Sequence, residues 1–63
     1  MKPKLRRRVL RNLKEGIIHA EHLYDAVRDA EDEDDRESVL SELISIAYHI
    51  HVCMDLIRDD LRT

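Results

Sequence analysis

"VLRNLKEGIIHAEHLYDAV", residues 9–27, decides the fold of this chain. Its apolar and small residues return at alternating steps of four and three: Val9, Leu13, Gly16, Ala20, Leu23, Val27, with Ala30 just beyond. An α-helix turns once every 3.6 residues, so this rhythm keeps one side of the helix facing one way. Leu10, Ile17 and Tyr24 widen the stripe, as a core-facing amphipathic helix requires. Pro3 suits a first turn, where its missing N–H costs nothing. The pattern predicts helix 1 over about residues 3–31. A second series, Leu40, Leu43, Ala47, Ile50, Met54, Ile57, Leu61, predicts helix 2 over about residues 35–61.

Between the two series lies "DAEDEDDRE", residues 29–37, with seven acids in nine positions. Carboxylates disfavour a helix C-terminus and favour an N-terminus, which places an acidic turn near residues 32–34. Asp34 followed by Glu37 has capping-box spacing at the start of helix 2. The run lacks the central glycine of a twelve-residue calcium loop, so it reads as a solvated turn. So short a connection makes the helices antiparallel neighbours.

The chain is a single domain of 63 residues. A domain of that size is marginal alone, burying about 60% of the surface its unfolded chain exposes. Disulfides, a structural metal or further copies are the usual remedies. One cysteine, Cys53, makes no internal disulfide and fits a reducing compartment. Two helices cannot enclose a stripe this wide, so the expected architecture is all-α: an antiparallel hairpin that homodimerises into a four-helix bundle. Its dimer core would comprise Leu13, Gly16, Ala20, Leu23, Leu43, Ala47, Ile50 and Met54, with Gly16 allowing close approach of a neighbouring helix or room for a large side chain such as Ile50, a local kink being the competing explanation. No apolar secretory signal opens the chain. The longest stretch free of Asp, Glu, Lys and Arg is Leu43–Met54, short of the roughly 18 residues that suggest a membrane span. The expected location is cytoplasmic, with no membrane partner.

Charge is segregated along the chain. Residues 1–14 hold seven Lys or Arg and no acid, whereas residues 15–63 hold all fourteen acids and four arginines. Such a basic arm binds polyanions even when the whole chain carries a net charge of −3. In a head-to-tail dimer it also sits near the acidic turn of the other copy. Both uses remain open from the sequence.

The a/d series Leu13, Gly16, Ala20, Leu23, Val27 against Leu40, Leu43, Ala47, Ile50, Met54, together with the chain length and the single hairpin, resembles the Rop family. Those are plasmid-encoded helical hairpins that dimerise into four-helix bundles and bind paired RNA loops. The resemblance implies an RNA-contacting face along helix 1, at Lys4, Arg11, Glu15, His19 and Ala26. Lys4 and Arg11 keep the basic character of that face. Glu15 stands where the family has an aromatic ring, and Ala26 where it has a lysine.

The residues themselves point to Lys4, Arg7, Arg8, Arg11 and Lys14 as a phosphate-binding surface. No aromatic lies among them for base stacking, so readout would be of backbone or shape. Tyr48, Val52 and Leu56 run along the outer side of helix 2 and make a candidate partner-binding strip. Glu15, His19 and His22 fall within about 60° of one another on helix 1. They read as outward-facing groups that offer, at most, a surface metal site. His51 reads as lying beside the core stripe, where its protonation would weaken packing as the pH falls toward about 6. Cys53 reads as a small packing residue.

Without a glycine-rich phosphate loop or a converging nucleophile and base, catalysis is not expected, nor any cofactor. The leading expectation is a small dimeric regulator that binds structured RNA, or DNA, through the basic first turns. The alternative is a protein-binding adaptor or inhibitor that uses the outer face of helix 2.

Overall fold

The computed structural model describes residues 1–30 and 35–63 of the chain. Two helices, α1 (Pro3–Asp29) and α2 (Arg36–Arg62), pack against each other. Val9 lies against Cys53, Asn12 against His49 and His19 against Glu42, so α2 returns antiparallel to α1. The molecule is a rod of 48 × 17 × 10 Å.

Helix ends follow from local chemistry. Pro3 occupies the first turn of α1, which ends at Asp29, just short of the expected residue 31. Asp35 stands at the N-cap of α2 in a right-handed helical conformation, and its side chain caps no backbone N–H. The expected turn at 32–34, and Asp34 of the expected capping box, lie outside the described residues.

The face α1 turns to α2 carries Leu5, Val9, Asn12, Gly16, His19 and Leu23, the residues that lose most surface along this helix. Steps of four and three persist, but the contact is rotated from the apolar stripe and is polar at its middle. Gly16 is buried, and a Cβ built on it would stand 3.7 Å from the Cβ of His49. His49, rather than the expected Ile50, is therefore the residue opposite the glycine.

Little is fully enclosed. Cys53, 8% exposed, is the one buried apolar side chain among the described residues. Its thiol reaches toward the Val9 carbonyl at 3.7 Å, in keeping with a packing role. The chain exposes 5466 Å². A compact monomer of the same mass would expose about 4200 Å², or roughly 1200 Å² less.

Candidate functional surfaces

The hairpin presents three surfaces of different chemistry. The first is apolar. Leu10, Leu13, Ile17, Tyr24 and Val27 on α1, and Leu40, Leu43, Ile50, Met54 and Leu61 on α2, are all exposed. Taking Gly16 and Cys53 as the centres of contact, Leu13 and Ile17 lie about 60–100° round α1, and Ile50 and Met54 lie about 60–100° round α2. The rotation follows increasing residue number in both. Because the helices are antiparallel, that shared sense brings both sets to the same side of the hairpin. Shallow grooves run over this side, one across Ile17, Ala20 and Tyr24, another across Met54, Ile57 and Leu61.

Of the eight residues assigned to a dimer core, Leu13, Ala20, Leu43, Ala47, Ile50 and Met54 are exposed on the single chain, and all fall on this apolar side. Gly16 and Leu23 instead take part in the hairpin's own contact. The apolar stripe is thus wider than the hairpin contact: part of it meets α2 and the rest is exposed.

The second surface is the polar seam along the opposite side of the α1–α2 contact. Asn12 Nδ2 donates to the Arg8 carbonyl at 3.0 Å, which leaves Oδ1 to accept from His49 Nδ1 at 3.2 Å. His19 Nδ1 donates to Glu42 Oε2 at 2.9 Å, and the His19 and His49 rings stack with centroids 5.8 Å apart. With a third of each side chain still exposed, the His19–Glu42 pair contributes at most about 1 kcal/mol.

This seam corrects three expectations. His19 does not face outward: the short step past Gly16 brings it against α2. Glu15 and His22 remain exposed, so the Glu15, His19, His22 set is split, and among the described residues no three His, Cys, Asp or Glu side chains gather to hold a metal. His51 stands away from the contact, exposed, with Nε2 3.3 Å from Asp55 Oδ2. It therefore takes no part in the packing it was expected to border. The signal for the inward histidine was present in the sequence: His49 lies four residues before Cys53 and seven after Glu42, which keeps all three on one helical face.

The Tyr48, Val52, Leu56 strip slants across the edge of α2. Tyr48 is 63% exposed, whereas Val52 and Leu56 are half-buried against the hairpin's own contact. The strip consequently offers a partner less area than its sequence suggests.

The third surface is charged. Lys4, Arg7, Arg8, Arg11 and Lys14 are exposed on the first turns of α1, and no described acid pairs with any of them. Arg28, by contrast, is held by Asp25 at 3.4 Å and Asp29 at 3.1 Å. Of the residues matching the Rop RNA face, Lys4, Arg11, Glu15 and Ala26 are exposed, and His19 is committed to Glu42.

A stretch of 18 residues within α2 reaches a mean hydropathy of 1.3, the minimum for a membrane-crossing helix, a test that core helices of soluble proteins pass as well. Comparison with protein-family models, curated proteins and solved structures finds no match to this chain.

Proposed function

We propose that the chain is a non-enzymatic regulator that works as a homodimer. Two hairpins close their apolar faces into a four-helix bundle, and the bundle binds the phosphate backbone of structured RNA through the first turns of α1. The observation that carries the binding reading is the set of five exposed cations, unpaired among the described residues, on one rigid helix. Cations released from intramolecular pairing are free to displace the counterions condensed on a polyanion. The resemblance to Rop-like hairpins points the same way. Dimerisation draws its support from the surface excess of about 1200 Å² per chain. Mated, that area gives a total interface of about 2400 Å², within the range of obligate homodimers.

A protein adaptor working through Tyr48 is the competing reading, and the half-burial of Val52 and Leu56 disfavours it.

The test is binding of the dimer to a labelled RNA hairpin across a salt series. Three phosphate contacts, from Lys4, Arg8 and Arg11, would weaken affinity roughly 40-fold between 50 and 200 mM salt. Replacing Lys4, Arg8 and Arg11 with Ala should flatten the salt slope by about one unit per residue. Binding that ignores both salt and these substitutions would refute the reading.

A further inference from the structure

The outward ridge of α1, on the side away from α2, reads Lys4, Arg7, Arg11, Lys14, Ile18, Glu21, Asp25, Asp29. Steps of three and four hold these residues on one helical face, and every one is exposed. The first half is wholly basic and the second half wholly acidic, with the apolar Ile18 between them. Turned end for end about Ile18, the ridge meets its own complement. Arg11 then falls level with Asp25, Arg7 with Asp29, and Lys14 within one residue of Glu21; Asp25 and Asp29 also hold Arg28 of their own chain, whereas Glu21 is unpaired among the described residues.

The apolar edge beside the ridge has the same symmetry. Reversal about nearly the same point sets Leu10 against Val27, Leu13 against Tyr24 and Ile17 against Ala20. Charge and shape therefore share one two-fold axis, crossing α1 between Ile17 and Ala20.

We infer that the apolar face is built for a second copy of this chain in one orientation: head to tail, with α1 antiparallel to α1 of the partner and the basic half of each ridge beside the acidic half of the other. This rests on the proposed dimer and fixes its arrangement. The alternative two-fold, parallel to the rod, would set α1 against the partner's α2 and bring Asp29 and Asp35 of both copies to one end. Like charges then gather at both ends, whereas the head-to-tail form alternates them.

The arrangement also divides the basic cluster. Arg7 and Lys14 lie on the edge of the ridge nearer the apolar face, within reach of the partner's acids. Lys4, Arg8 and Arg11 lie further round the helix by about 40–120° and stay open to solvent. The first pair orients the dimer, and the other three are left for phosphate.

Two measurements test this. The first attaches a spin label to Asp59→Cys, exposed near the end of α2, and reads the distance between labels in the dimer. The proposed axis crosses α2 near Leu43 and Ile44, as the Val9–Cys53 and His19–Glu42 contacts align the helices, so at about 1.5 Å of rise per residue the head-to-tail form separates the labels by about 40 Å or more. The same-end form predicts about 20 Å or less, no more than two helix diameters. The second needs no new cysteine. Lys14→Glu should weaken dimerisation roughly tenfold at low salt, and Lys14→Glu with Glu21→Lys should restore it. Light scattering on the unaltered chain separates the two claims. A dimer with the short label distance, or with no rescue by the double exchange, overturns this orientation and leaves the dimer standing. A chain that remains monomeric at all concentrations overturns both.

Discussion

Replacing Gly16 with alanine should stabilise the protein, although the glycine is buried in the middle of a helix–helix contact. Glycine in a helix interior costs about 1 kcal/mol relative to alanine, because the unfolded chain loses more freedom on ordering. That gain survives only if the added methyl has somewhere to go. A Cβ at this position would meet nothing closer than the Cβ of His49 at 3.7 Å, an ordinary van der Waals distance. No backbone conformation reserved for glycine is involved, since the residue is plain α-helix. The expected gain is therefore nearly the full propensity difference, about 1 kcal/mol per chain, or roughly 4–8 °C in Tm for a domain of this size. Thermal and urea unfolding of the two proteins at equal chain concentration measure it. A loss of stability would refute the reasoning, for it would mean that the two helices have no room between them for a methyl group. Gly16→Leu supplies the counterpart: its larger side chain must displace the His49 ring, and it should destabilise by about 1–3 kcal/mol.

Two further expectations concern the same contact. Asn12→Ala leaves the Nδ1–H of His49 without its acceptor and should cost about 1 kcal/mol, whereas Asn12→Leu with His49→Leu removes donor and acceptor together and should be neutral or stabilising. Urea denaturation of the three proteins decides it, and a double variant weaker than Asn12→Ala would show that the hydrogen bond itself holds the hairpin. If folding is coupled to dimerisation, a tenfold rise in chain concentration adds about 1.4 kcal/mol and should raise Tm by several degrees. A Tm unchanged over a hundredfold range would show a hairpin that is stable alone.

The two helices were legible because alternating threes and fours permit little except amphipathic helices over such lengths. Periodicity did not say where within a wide stripe the intrachain contact would fall. A stripe wider than the contact it makes within the chain has no unique centre, and choosing its apolar middle placed Ile50 opposite Gly16 and turned His19 outward. The structure rotates the contact toward Asn12, His19, Glu42 and His49, whose hydrogen-bonding partners sit on the facing helix and cannot be read from either helix alone. Val52 and Leu56 were displaced by the same rotation, from an outer strip to the edge of the hairpin contact. Lys4, Arg7, Arg8, Arg11 and Lys14 are exposed, as charged side chains off the contact face of a helix must be, because burying an unpaired charge is costly.

The distribution of polarity has a physical consequence for assembly. Each hairpin spends its polar groups on the internal contact, where Asn12, His19, Glu42 and His49 satisfy one another, and leaves its longest apolar side chains outside. Hydrogen bonds exchanged with water contribute modestly to stability but penalise misalignment, because a half-buried group without its partner is costly. Apolar contact contributes more energy and tolerates sliding, since it has no direction. The hairpin contact is thus specified in register but weak, and the open face is strong but unspecific. An interface of the second kind needs a separate device to choose its orientation. The charge-divided ridge of α1 is placed where it can supply that choice, because it borders the apolar face along its whole length and reverses sign at the middle. Salt would weaken the orienting charges while leaving apolar burial largely intact. Raising ionic strength should therefore relax the choice between the two dimer orientations before it separates the chains.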